Sequence, residues 1–350
     1  MERAADGSLG RSRGRDLSFG QPSLGIYGGR GDTTLNAAPT LNGPLSFNFE
    51  FRAMGSPCAL SFYARHKADA DRIATRAIEE VRRIERRYSR YRQDSLLSQI
   101  NSVAEEAGSI EVDQETAGLL DLAFAAYEKS DGLFDVTSGL LRRVWNDAAS
   151  ALPRDADMSA LLALIGLEKV QWKRPWLTFT IPGMEMDFGG VGKEYAADCA
   201  AATLRSSGIE HGLVDLGGDI ALVGPRPDWS PWRIGVRDPT ARERALATLF
   251  VQSGGLATSG SYERFWNIAG QQYSHLLNPK TGWPVDSLPS VTVVEETCMA
   301  AGITATIALL KGDDGSEWLA RSGAAHLYVD RSGRLGGSIA VVGNAPGRLR

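Results

Sequence analysis

Cysteine is scarce in this 350-residue chain, with only Cys58, Cys199 and Cys298, far apart and set among apolar or small neighbours. So odd and dispersed a set excludes a disulfide framework and a clustered zinc site, and fits buried thiols in a reducing compartment. Long apolar runs are also missing. A stretch such as Ile303 to Leu310 falls far short of the ~20 residues that a membrane-spanning helix needs. Net charge is only −4, which leaves no basic surface to argue for nucleic acid or an anionic membrane as partner. Arg11-Ser12-Arg13 is not followed by the apolar core of an export signal, so the protein is expected to stay in the cytoplasm.

What remains is ordinary globular material, 43% apolar and 23% charged. Residues 1–46 stand apart: rich in Gly, Ser, Arg, Asn and Pro and without hydrophobic period, they are expected to form a disordered tail. A domain is expected over 47–345. Phe47, Phe49 and Phe51 alternate with polar residues, and with Ala59 to Tyr63 they predict a strand pair. Ile73, Ala77, Val81 and Ile84 predict a helix, and further helices are expected over Gln114–Ser130, Lys193–Ser207 and Ala300–Leu310. Strands are expected at Val170–Trp172, Leu177–Ile181, Gly212–Leu216, Asp219–Val223, Trp232–Val236, Ala247–Gln252, Ser290–Val294 and Leu327–Asp330, with Ser338–Val342 closing the sheet. Helices and strands mix without strict βαβ alternation, so the expected class is α+β.

Three glycine-rich stretches could carry chemistry. Asp187-Phe-Gly-Gly-Val-Gly-Lys193 precedes a predicted helix, where close backbone approach and a helix N-terminus suit a phosphate, although a tight turn before a packed helix would look the same. Asp215-Leu-Gly-Gly-Asp219 lies between two strands, where Gly-Gly is equally an ordinary hairpin connector. Thr258-Ser-Gly-Ser-Tyr262 and the following Ser274-His275-Leu-Leu-Asn278-Pro279-Lys-Thr281-Gly282 gather hydroxyls and one histidine in a turn-rich segment. Among four histidines only His275 keeps such polar loop company, and histidine is the side chain suited to proton transfer near neutral pH.

Together with Met54-Gly55-Ser56, the segment Tyr88-Ser-Arg-Tyr91-Arg-Gln-Asp-Ser-Leu-Leu-Ser98 with Asn101, and Gly132-Leu133-Phe134-Asp135-Val136-Thr137, these stretches resemble the ApbE-type FAD:protein FMN transferases. The likeness runs from about Phe51 to Gly312, with the motifs in the family's order. It implies mainly antiparallel sheets with packed helices, and FAD held by Met54, Tyr91, Leu133, Phe134, Asp135, Asp187, Lys193, Ser259, Gly260 and Leu276. Tyr91 would suit a flat ring system, and Lys193 would hold the pyrophosphate. The likeness further implies that FMN passes to a Thr or Ser hydroxyl of an acceptor flavoprotein and AMP departs, with His275 as base and Lys193 supporting catalysis.

The same likeness implies a magnesium ion held by the Gly190 carbonyl, by Thr306 and by an aspartate four residues before Thr306. This chain has Gly302 at that position, and Ser261 where the family carries another aspartate. The alternatives left open are a flavin-binding protein with little transferase activity and a magnesium-dependent FAD pyrophosphatase. Glu295 and Glu296 are the nearby acids that could substitute, and Gly302→Asp is expected to tighten magnesium binding.

Overall fold

The computed structural model describes residues 44–147, 149, 151–239, 244–261, 264–268, 270–286 and 288–341. Most of the expected tail, residues 1–43, lies outside them. Strands β1 (Leu45–Ala53) and β2 (Ser56–Ala64) form a hairpin over Met54-Gly55, whose φ values of 51° and 70° match the twist that two-residue hairpin loops require. Helix α1 (Lys67–Arg87) buries Ala70, Ile73, Ala74, Ala77, Val81 and Ile84 along one stripe and leaves its charges outside. There follow α2 (Leu96–Glu105), β3 (Ser109–Glu111), α3 (Gln114–Lys129), a 3₁₀ turn at Ser138–Arg143, α4 (Asp155–Leu162), β4 (Val170–Lys173) and β5 (Trp176–Phe179). Helix α5 (Gly192–Ser206) leads into β6 (Gly212–Leu216), β7 (Asp219–Gly224), β8 (Trp232–Arg237), β9 (Ala245–Val251) and β10 (Gly255–Gly260). The hairpin of β11 (Phe265–Ile268) and β12 (Gln271–Ser274) comes next, then β13 (Ser290–Glu295), α6 (Cys298–Leu310), α7 (Gly315–Ser322), β14 (Ala325–Val329) and β15 (Leu335–Gly337).

The main sheet has eight strands in the order β1-β2-β6-β7-β10-β13-β14-β15, and every neighbouring pair is antiparallel. The fold is therefore α+β, as expected. Its central strands are buried on both faces. In β6, Val214 and Leu216 join the large core shared with α1 and α5, while Leu213 belongs to a second core under the β8–β9 ribbon with Trp232, Ile234 and Leu249. Alternation along one strand thus feeds two layers.

Ser338–Val342 does not close the sheet. The edge strand is Leu335–Gly337, paired with Val329, Tyr328 and Leu327. Beyond it, the Ser338 and Ile339 N–H groups reach the His326 carbonyl at 2.9 and 3.1 Å, Ile339 and Val341 pack on the second core, and Val342 lies outside the described residues. The sequence pattern gives no expectation of α2, β3, α7, the β11–β12 hairpin or β10, which lies between β7 and β13 in the main sheet.

Two joints bring remote segments together. Trp145, fully buried, donates its indole N–H to the Gly282 carbonyl at 2.8 Å and packs on Trp266, Tyr273 and Trp283. That ties the 3₁₀ turn to the 278–284 loop. Asn101 of α2 forms a two-way bridge to Met186, accepting from its N–H at 2.7 Å and donating to its carbonyl at 3.0 Å, which fixes the start of the Asp187 loop.

Candidate active site

At the meeting of these segments lies a cleft of about 220 Å³. Its walls come from the 133–139 segment, the loop leading into α5, the β6–β7 turn, the end of β10, the loop after β12 and the C-terminal half of α6.

The floor is the glycine-rich loop before α5. Val191 stands at the helix N-cap without a side-chain acceptor, and the Gly192 N–H is taken by the Phe188 carbonyl at 2.8 Å, so the Lys193 and Glu194 N–H groups get no cap from Val191. Such groups, with the positive end of the helix dipole, form a ready anion site. Gly190 lies over the Phe134 ring, whose nearest atom would be 3.7 Å from an added Cβ. Lys193, in the first turn of α5, forms an ion pair with buried Asp219 at the start of β7. The Asp215–Asp219 motif is thus a hairpin connector, with Gly217 and Gly218 at φ 73° and 102°, and also the support that aims Lys193 at the cleft.

Asp187 also lines the cleft, where its carboxylate takes the Gly189 N–H at 2.8 Å and pairs with Arg90 at 3.1 Å and Arg142 at 3.3 Å. With Arg142, Arg264 and Lys193 in its lining, the cleft can accept an anionic ligand.

His275 follows β12 and is half-buried in the wall. Its Nδ1 lies 3.0 Å from the Arg264 carbonyl. A carbonyl can only accept, so Nδ1 carries the hydrogen and Nε2 is the basic nitrogen. Burial pushes the imidazole pKa down to about 4, so at neutral pH the ring is uncharged.

Opposite, Ser259 on β10 and Thr306 on α6 share a hydroxyl contact of 3.1 Å. One turn before Thr306, a Cβ built on Gly302 would stand 2.6 Å from Glu194 Cγ and 2.8 Å from its Oε1. Buried Glu194 is among the residues that line the cleft, and its Oε2 has no hydrogen-bond partner among the described residues. Burial, then the nearby Asp219 charge, raise its pKa.

Of the residues singled out from sequence, Leu133, Phe134, Asp135, Asp187, Gly190, Lys193, Ser259, Gly260, His275, Leu276 and Thr306 all line this one cleft. Met54 and Tyr91 do not. Met54 sits in the β1–β2 turn, its N–H bound to Glu85 at 2.5 Å, and its neighbour Ser56 reaches the lining instead. Tyr91 is 82% exposed, beneath the Arg90 guanidinium at 4.9 Å. Asp135 lines the wall but spends its carboxylate inside the fold. It accepts from the Thr137 N–H and hydroxyl at 2.8 and 2.7 Å and from the Leu167 N–H at 3.3 Å. Sequence reasoning missed Glu194, Arg142 and Arg264 as lining residues. Glu194 had a signal, since it is an acid in the first turn of a helix right after a glycine-rich loop.

The sequence model of the ApbE family matches residues 54–328. The chain belongs to the ApbE family. A relative from Vibrio cholerae, the FAD:protein FMN transferase of strain O395, is 30% identical over 254 residues, covering 71% of this chain and 75% of the relative. The FAD:protein FMN transferase of Escherichia coli K12 is 29% identical, covering 70% and 73%. Among solved structures, an ApbE protein from Thermotoga maritima superposes with a TM-score of 0.77 at 29% identity, covering 84% of this chain and 97% of its own. Flavin transferase ApbE from Vibrio cholerae gives 0.74 at 26% identity, covering 85% and 97%. No helix among the described residues is long and apolar enough to cross a membrane.

Proposed function

We propose that this ApbE-family chain is an FAD:protein FMN transferase, which moves FMN from FAD to a Thr or Ser hydroxyl of an acceptor flavoprotein and releases AMP. One observation carries this reading: the uncapped start of α5, Lys193 and the neutral His275 converge on a single cleft. The first two suit a pyrophosphate, and the third suits a hydroxyl that must lose a proton.

In this scheme the acceptor oxygen attacks the FMN-side phosphorus as the bond from that phosphorus to the bridging oxygen breaks. The hydroxyl proton passes to His275 Nε2, and AMP leaves with the bridging oxygen. Positioning and charge supply most of such catalysis. The α5 N–H groups and Lys193 hold the phosphates, and Asp219 holds Lys193 in turn. Leu133, Phe134, Leu276, Ser259 and Gly260 shape the wall that orients FAD. Met54 and Tyr91 stand outside that wall in this structure and would meet FAD only on its exposed side.

A divalent cation, magnesium in this reading, fits the corner beside Thr306. Residues that offer hydroxyl, carbonyl and carboxylate oxygens line the cleft, the donor set that a hard cation prefers, and Glu194 Oε2 lacks a hydrogen-bond partner among the described residues. The Gly190 carbonyl and the Thr306 hydroxyl would hold the ion, and its charge would offset that of the pyrophosphate when bound. The Glu194 carboxylate lies beside Gly302, which supports an active cation site over a silent flavin binder.

The proposal is tested by titrating purified protein with FAD, FMN and riboflavin. FAD is expected to bind tightest, since it alone offers a pyrophosphate to Lys193 and α5. Equal affinity for riboflavin and FAD would overturn the assignment of the α5 loop.

A further inference from the structure

We infer that Glu194 is the carboxylate ligand of the divalent cation in this chain, and that Gly302 is glycine because Glu194 reaches into the space beside it. The inference rests on the cation-assisted reading above and specifies the residue that reading lacks.

The argument starts from an energetic oddity. Glu194 is 93% buried, at 7% relative exposure, and its Oε2 has no hydrogen-bond partner among the described residues. An ionised carboxylate left so is costly, and buried charges in proteins are paired or coordinate metals. Lys193, the preceding residue, forms an ion pair with Asp219. Glu194 and Asp219 both line the cleft, and a cation bound beside them would answer the buried Glu194 carboxylate.

The position of the carboxylate says where that charge would sit. An added Cβ at Gly302 would stand 2.6 Å from Glu194 Cγ, 3.0 Å from Cδ and 2.8 Å from Oε1, so the carboxylate fills the volume that a side chain at 302 would claim. Residues four apart on a helix share a face. The 302 position and the Thr306 hydroxyl are thus neighbours on α6, and Thr306 in turn touches Ser259 at 3.1 Å. Glu194 and Thr306 both line the cleft, and their carboxylate and hydroxyl oxygens form a donor set for a small hard cation and a poor one for zinc or copper. Neither Glu295, at the end of β13, nor Glu296, just after it, lines the cleft. A carboxylate donated from the start of α5 takes the place of one donated from α6. Gly302→Asp alone would not restore a site, as the sequence suggested; it would crowd one that exists.

The test uses the full chain with saturating FAD and follows Mn²⁺ uptake by the loss of the free-ion EPR signal. The parent is expected to take up Mn²⁺, and Glu194→Gln to weaken that uptake by about tenfold or more, since even residues that merely orient a metal ligand cost about 10–100-fold. Gly302→Ala, which removes no ligand but displaces the carboxylate, is expected to weaken it too. The double variant Glu194→Ala/Gly302→Asp, which moves the carboxylate from α5 to α6, is expected to recover most of the loss. Unchanged Mn²⁺ affinity in Glu194→Gln would overturn the inference while leaving the cation reading intact. If that variant does not fold, unchanged affinity in Gly302→Ala overturns it instead. A parent that binds FAD but takes up no Mn²⁺ overturns both the inference and the cation reading, and one that binds neither overturns the proposed function as well.

Discussion

At the scale of single residues, His275 decides how the cleft handles a proton. Its Nδ1 is committed to the Arg264 carbonyl, and burial keeps the ring neutral down to a pH of about 4. The imidazole acts as a base only when unprotonated, so its contribution is complete above that value and is lost as pH falls through it. The acid limb of kcat/KM is therefore predicted well below the ~6.5 of an ordinary histidine, because kcat/KM reports the free enzyme. A limb at 6.5 that disappears in the variant would show that His275 is more solvated than its surroundings imply. His275→Ala is predicted to slow transfer by roughly 10²–10⁴-fold while FAD still binds. Transfer that continues at the parent rate would hand the base role to another group.

The residue scale also shows what a linear reading reaches. His275, Lys193 and Thr306 were legible because each sits in a distinctive local motif, and all three line the cleft. Asp135 was legible as a special acid but not in its task, since the donors that hold its carboxylate, Thr137 and the N–H of Leu167, are revealed only by the fold. Glu194 was passed over because its meaning lies in Gly302, a neighbour on another helix. A missing side chain and a displaced one look alike until both helices are placed.

At the scale of elements, the segment from Tyr88 to Asn101 turns out to build the loop that carries Arg90. Ser95 caps α2 by accepting the Ser98 N–H at 3.0 Å, and its own hydroxyl donates to the Ser89 carbonyl at 2.6 Å. Arg90 leaves that loop to meet Asp187, while Asn101 clasps Met186. The sequence placed this segment beside FAD through Tyr91, yet the ring is exposed and its neighbours do the structural work. Asn101→Ala strands the N–H and carbonyl of Met186, at a predicted cost of about 1–3 kcal/mol in unfolding free energy. It should also raise the KM for FAD, because the loop that carries Asp187 and Gly190 loses its anchor. Denaturant melts together with steady-state kinetics check both parts; a stability loss with unchanged KM would separate the clasp from the cleft.

The strands and long helices were readable for a plain reason. Alternation and helical spacing are strong in β2, α1 and α5, where one face meets the core. The end of the main sheet differs from the sequence expectation because Ile339 and Val341 alternate while packing on a core, and the ladder ends where Ser338 and Ile339 give their N–H groups to the His326 carbonyl. The β11–β12 hairpin is only four residues a side, too short for a period to declare itself.

At the scale of the whole molecule, the cleft exists because segments remote in sequence are pinned to one another. Trp145 is the pin between the 3₁₀ turn and the loop after β12, buried among Leu140, Leu141, Met158 and Ile268. Trp145→Ala is predicted to cost about 3–5 kcal/mol and to loosen the wall that carries His275. Calorimetry gives the first quantity, and hydrogen exchange across residues 275–286 the second. A destabilised variant whose exchange in that loop matches the parent would contradict the idea of a pin.

The central claim is that this assembly transfers FMN to another protein. The most direct measurement incubates the full chain with FAD, Mg²⁺ and an acceptor flavoprotein domain, then follows AMP by chromatography and the acceptor by intact-mass spectrometry. The account predicts acceptor molecules that carry one FMN on a Thr or Ser, with AMP formed in equal amount. AMP accompanied by free FMN and an unmodified acceptor would contradict it and make the protein a pyrophosphatase, with water in the place of the acceptor hydroxyl.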